Sequence, residues 1–125
     1  MLFDTDVLIW VFRGSRPAAR LVDGAEERAI SVVTYMELMQ GTRSKREAQS
    51  IKGFLADFGF QMLPLTENIG HRAAIYIEEY SLKGSLCMAD ALIAATAVEH
   101  RVILCTANQK HYRPIHDLEM KALRP

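Results

Sequence analysis

The sequence predicts an α/β protein of three layers, α/β/α, with helices on both faces of a mainly parallel sheet of four to five strands. Three observations lead there. Short apolar or β-branched runs alternate along the whole chain with segments of helical period, the pattern of parallel β-α-β units. Most helical segments carry their own start and stop residues, so they read as separate helices rather than one long rod. A length of 125 residues, 50% of them hydrophobic, suits one compact core and predicts a single domain over residues 1–125.

Residues 2–7 open as an apolar segment interrupted by Asp4 and Asp6, and they run straight into residues 8–12, a strand-to-helix transition with acids at the turn. Arg13, Gly14 and Ser15 end that first helix. Ser15 then caps a second short helix near residues 17–22, with Pro17 tolerated in its first turn and Gly24 as its stop. The β-branched run 29–33 reads as a buried strand. Thr34 to Glu37 follows with capping-box spacing, so a third helix is expected to begin there and stop at Gly41. Residues 46–58 place Ile51, Phe54, Leu55 and Phe58 on one helical face before Gly59. A strand over residues 60–65 is stopped by Pro64, and residues 68–80 return to helical period. Residues 88–99 are apolar almost all round, which predicts a helix packed on several sides. Residues 102–105 form a short buried strand, and Ile115 is expected on a final edge strand.

Composition narrows the function. Lys plus Arg and Asp plus Glu are balanced at 15 each, so no global basic field draws nucleic acid from a distance and any such contact is local. No stretch approaches the roughly 20 apolar residues of a membrane span. The N-terminus lacks the basic-then-apolar pattern of an export signal, so the expected location is the cytoplasm. Cys87 and Cys105 show neither CxxC nor zinc-ligand spacing and are expected to be reduced packing residues.

In open parallel sheets ligands bind beyond the carboxyl ends of the strands, which singles out three acids. Asp4 sits at the end of the first strand, Glu37 one helical turn past the next, and Asp90 at the front of the apolar helix. Each has an ordinary structural explanation when taken alone. Asp4 suits a helix N-cap, Glu37 the third position of a capping box, and Asp90 the favourable end of a helix dipole. Together they would open onto one edge of the sheet, where three carboxylates repel one another unless a cation lies among them. Oxygen-only ligation suits Mg²⁺ or Mn²⁺ rather than zinc. His111 and His116 lack the partners of a zinc site, and His71 and His100 are expected to face solvent. Arg13, Arg43, Arg46, Lys110 and Arg113 flank the proposed site as candidate contacts to phosphates, each of which a solvated charged face would also explain.

The segments Leu2-Phe3-Asp4-Thr5-Asp6-Val7-Leu8-Ile9, Thr34-Tyr35-Met36-Glu37-Leu38-Met39-Gln40-Gly41, Ala89-Asp90-Ala91-Leu92-Ile93-Ala94-Ala95-Thr96-Ala97 and Leu104-Cys105-Thr106-Ala107-Asn108 resemble, in order, the successive motifs of PIN-domain nucleases. The chain is most similar to the VapC-like toxins of bacterial type II toxin-antitoxin pairs, and the resemblance covers essentially its whole length. It implies a PIN-like fold and a Mg²⁺- or Mn²⁺-dependent endoribonuclease with Asp4, Glu37 and Asp90 as catalytic, metal-binding acids. Thr5, Asp6, Thr106, Asn108 and His111 would support them, with Asp6 standing where an Asn is common. It further implies a homodimer and an antitoxin that inserts a segment into the active-site groove. One departure concerns a fourth acid that members often carry before an aromatic residue late in the chain. Here His111 precedes Tyr112, and a neutral imidazole cannot supply a carboxylate's charge, so one metal ion or two remains open.

Rival classes stop earlier. A receiver domain needs a phospho-acceptor Asp at the end of a central strand, and Asp57 falls inside a helical period. A phosphatase built on Asp4-Thr5-Asp6 wants a later Lys and paired acids that Asp90 does not provide. A binding-only PIN-like module stays open on the strength of His111.

Overall fold

The computed structural model describes residues 1–125 and places five short strands in one sheet. The strands are β1 (Leu2–Phe3), β2 (Ala29–Ser31), β3 (Gln61–Leu63), β4 (Leu104–Thr106) and β5 (Met120–Ala122). Their order is β3-β2-β1-β4-β5, and every neighbouring pair is parallel. Between them run the helices α1 (Thr5–Phe12), α2 (Arg16–Gly24), α3 (Val32–Gln40), α4 (Lys45–Asp57), α5 (Glu67–Tyr80), α6 (Met88–His100) and the single-turn α7 (Gln109–Tyr112).

The alternation of side chains along the strands builds the three layers. Leu2 and Leu104, paired across β1 and β4, face a core shared with Ile69, Ala73 and Tyr76 of α5 and the buried face of α6. Phe3 and Cys105, the next pair, face the opposite core with Val7 and Leu8 of α1, Ala18 and Val22 of α2, and Ile51 and Leu55 of α4. A one-residue slip of β1 would therefore exchange the two cores. Helix α6 is packed on several sides as its composition predicts, with Ala91 and the run from Ile93 to Ala97 buried.

Two expectations need correction. The third helix begins at Val32, capped by Ser31, whose hydroxyl accepts from Val33 N at 3.0 Å; Thr34 is not its cap. The hydroxyl ends the strand earlier than its β-branched sequence suggests, and Val32 and Val33 enter the helix because packing outweighs their weak preference. Ile115 is not on the edge strand either. It is buried after α7, whose Tyr112 carbonyl accepts from Ile115 N at 3.0 Å, and the fifth strand forms five residues later.

Connections after β1 lead outward through β2 to β3, and the chain then crosses to the other side to form β4. The carboxyl end of β1 is therefore a topological switch point, where a crevice opens in a sheet of this kind. Asp4 stands there.

Arg28 ties the far end of this layer together. Its guanidinium donates to the carbonyls of Val22, Asp23 and Phe58 and lies 5.7 Å from the centre of the Phe58 ring. Arg28→Ala leaves these carbonyls without a shared cationic donor and is expected to cost about 2 kcal/mol in urea unfolding. A midpoint unchanged from the parent would show that water replaces the arginine without loss.

Candidate active site

Asp4 is the N-cap of α1 and only 7% exposed. Its Oδ1 accepts from Thr5 N at 2.8 Å, as a cap does, while its Oδ2 accepts from the hydroxyls of Thr106 and Tyr112, each at 2.9 Å. Capping and site-building thus coexist in one residue. Asp6, in the first turn of α1, is held from β4's end by Ala107 N at 3.2 and 3.3 Å, and Thr106 Oγ1 stands 3.4 Å from its Oδ2.

The Tyr112 hydroxyl also reaches Asp90 Oδ1 at 3.3 Å, so one phenol bridges the ends of β1 and α6. Asp90 Oδ2 in turn meets the backbone N of Cys87 at 3.5 Å, the Cys87 thiol at 3.1 Å and His111 Nδ1 at 3.5 Å. Asn108 Nδ2 lies 3.1 Å from the other ring nitrogen of His111, and Asn108 N donates to Thr106 Oγ1 at 3.0 Å. On the opposite side, Thr5 Oγ1 donates to Glu37 Oε1 at 2.7 Å and stands 3.0 Å from Thr34 Oγ1. Glu37 is the sixth residue of α3 and exposed, so it is not a capping-box acid.

These contacts join the three acids singled out in the sequence into one hydrogen-bonded run, from Glu37 through Thr5, Asp4 and Tyr112 to Asp90, with His111 3.5 Å beyond it. Burial, and after it the nearby Asp6, raise the Asp4 carboxyl to about 7 against the hydrogen bonds from Thr106, Tyr112 and Thr5 that pull it down. Burial also raises Asp6, opposed by the Ala107 amide. The Tyr112 phenol is pushed far above its ordinary value by burial and by Asp4 and Asp90, which keeps it a protonated donor.

Crowded carboxylates, one of them buried without a cationic partner, are the donor set a hard divalent cation satisfies. No three Asp, Glu, His or Cys side chains stand at a spacing where all three grip a single ion. Mg²⁺ asks for less, since one or two carboxylates with water and phosphate oxygens complete its shell. Asp4 and Asp90, held by the same phenol, fit that smaller requirement.

The arginines separate. Arg13 and Arg43 line one cavity of about 320 Å³ with Glu37, Ile9 and Phe12, whereas Arg46 is exposed on α4 and is not among its lining residues. Lys110 and Arg113 line a different cleft, beside Asn108. Tyr112, Thr34 and the Ala107 amide were not singled out in the sequence. Thr34 and Ala107 do lie within the motif segments, and Tyr112 follows His111, but nothing in the sequence marks any of the three as a contact to the acids. Cys87 is exposed and touches Asp90, so it is not the packing residue expected; Cys105 is buried, and burial raises its thiol to about 11. His71, His100 and His116 are exposed, as expected of solvent-facing histidines.

A family model described as "PIN domain" matches residues 1–115. No curated protein matches the chain. Among solved structures, a toxin-antitoxin complex from Klebsiella pneumoniae contains a chain 33% identical over 94% of this chain and 93% of that one, with a TM-score of 0.79. VapBC2 from Rickettsia felis, bound to a DNA fragment from its promoter, is 20% identical over 98% of both chains with a TM-score of 0.83. DNA-bound VapBC from Salmonella typhimurium is 20% identical over 97% and 96%, also at 0.83. The last two are likenesses of fold.

Proposed function

The chain belongs to the PIN-domain family, a family of nucleases, and from that premise we propose that it is a Mg²⁺-dependent endoribonuclease, the toxin of a type II toxin-antitoxin pair. The observation that carries this reading is the hydrogen-bonded run of carboxylates around the buried Asp4. Asp4 and Asp90 would hold Mg²⁺, or Mn²⁺ in its place, with Glu37 holding the ion or a water. When bound, the ion lowers the pKa of the attacking water and offsets charge on the leaving oxygen.

The remaining work falls to the chain's own groups. Thr106 and Tyr112 fix the Asp4 carboxylate from two sides, so its position does not depend on the substrate. Glu37 is anchored through Oε1 alone, which leaves Oε2 to accept a proton from the attacking water. Arg13 and Arg43 line the cavity beside it and would contact phosphates. Water's oxygen bonds to phosphorus as the bond to the 3′ oxygen breaks, giving 5′-phosphate and 3′-hydroxyl ends. The likeness to a chain of a toxin-antitoxin complex supports a cognate antitoxin as partner. A homodimer acting in the cytoplasm completes the proposal; no helix is long and apolar enough to cross a membrane.

The test is incubation of the purified chain with a structured RNA in Mg²⁺ and in EDTA, with analysis of the new ends. Cleavage in Mg²⁺ alone, yielding 5′-phosphates, is the expected result. Equal cleavage in both removes the metal-carboxylate mechanism, intact RNA in both removes the enzymatic reading, and RNA bound but uncut would leave a binding module.

A further inference from the structure

Beside the acids lies a cleft whose charge is of one sign. Its volume is about 330 Å³, and it is lined by Lys110, Arg113 and Arg124 with Asn108 and Gln109, without a single carboxylate. None of the three cations takes part in a salt bridge of the structure. In a chain whose charges balance at 15 of each sign, three cations gathered in one hollow with no acid among them concentrate positive potential locally. The fold brings them there from two places, Lys110 and Arg113 with α7 and Arg124 just past β5.

The cleft is joined to the acids through its own wall. Asn108 lines it and also stands 3.1 Å from His111 Nε2, while His111 Nδ1 stands 3.5 Å from Asp90 Oδ2. Two side chains thus separate the cationic hollow from a carboxylate of the proposed centre. The cavity at Glu37 is different, because there Arg13 and Arg43 are balanced by Glu37 and Glu47. Of these two hollows the Lys110–Arg113–Arg124 cleft is the one free of carboxylates, so a polyanion reaching the acids past it meets positive charge alone.

We infer that the Lys110–Arg113–Arg124 cleft is a subsite for a backbone phosphate of single-stranded RNA next to the phosphate that is cut, with Arg124 as a contact residue. The inference rests on the nuclease reading for the identity of the strand. Backbone neutralisation without base contacts fits a lining of flexible cations, and the amides of Asn108 and Gln109 add donors for phosphate oxygens. Such a subsite sets affinity and register and leaves the chemical step alone.

The test uses the full chain in EDTA with a fluorescein-labelled single-stranded RNA, and reads the dissociation constant across a salt series. Arg124→Gln is expected to weaken binding about fivefold at 0.1 M salt and to reduce the slope of log K against log salt by about 0.7, the signature of one lost single-strand phosphate contact. Arg124→Lys restores the slope, and Arg20→Gln, on the exposed surface of α2, changes neither quantity. In Mg²⁺, Arg124→Gln raises KM and leaves kcat near the parent value. Binding and slope equal to the parent would overturn the subsite while a cleaving parent kept the nuclease reading intact. A parent that cuts nothing, with Arg124→Gln still weakening RNA binding, would do the reverse. Loss of affinity for a polyglutamate peptide with RNA affinity retained would assign the cleft to an acidic protein segment and also overturn the inference.

Discussion

Asp4→Asn is expected to lower the rate of RNA cleavage in saturating Mg²⁺ by about a thousandfold or more, the scale of losing several kcal/mol of metal-assisted stabilisation. Shape is nearly unchanged by the substitution. Asn caps a helix as well as Asp does, so the bond from Thr5 N survives, and the hydroxyls of Thr106 and Tyr112 rotate to accept from the new amide. Charge is what disappears, and with it the ligand. In the absence of Mg²⁺ the same variant should melt higher than the parent at pH 8, because a buried charge beside Asp6 has been removed. Single-turnover cleavage and thermal melting, run on the same preparations, separate the two effects. Activity within tenfold of the parent, with the metal requirement unchanged, would take Asp4 out of the chemistry.

The second large effect concerns pH. In the fold the Asp4 carboxyl is raised from 3.8 to about 7, and Asp6 moves in the same direction. The native state therefore binds more protons than the unfolded chain between those values, and metal-free stability must fall as pH rises through that window. The Asp4 contribution is whole below about pH 4 and gone above about pH 7, a loss on the order of 4 kcal/mol by linkage. About two-thirds of that loss falls between pH 5 and pH 8, which for a chain of this size is a melting temperature lower by roughly 10 °C at pH 8 than at pH 5. Mg²⁺ reverses the trend, because it binds the ionised carboxylates and expels their protons, so its stabilising effect grows with pH. Calorimetry in EDTA and in Mg²⁺ checks both slopes. A metal-free protein equally stable at both pH values would mean that Asp4 ionises without penalty.

Much of this architecture was legible because strong local signals agree with the tertiary ones. Ser15 caps α2 where its spacing to Pro17 predicts, and α6 is as deeply packed as its composition requires. Asp4 was legible as a boundary residue, an acid between the apolar Leu2-Phe3 pair and a helical run. Ser31 was not, because a hydroxyl inside a β-branched run reads as one more strand residue until the helix is seen to start behind it. β5 escaped for a related reason: Met120, Lys121 and Ala122 form an exposed edge with no buried alternation, while the apolar Ile115 nearby is claimed by packing. Tyr112 is the most instructive omission. Its role depends on a single-turn helix aiming a buried phenol at two acids remote in sequence, and no periodicity encodes that.

The contacts that complete Asp4 come from residues 102 and 108 positions further along the chain. Long loops close late in folding, so this pocket is among the last parts to organise. During synthesis the leading segment waits for Thr106 and Tyr112 to emerge before its acid has neighbours. A copy that stops short of Tyr112 is thereby left with an acid held from one side fewer, and the bridge from Asp4 to Asp90 does not form.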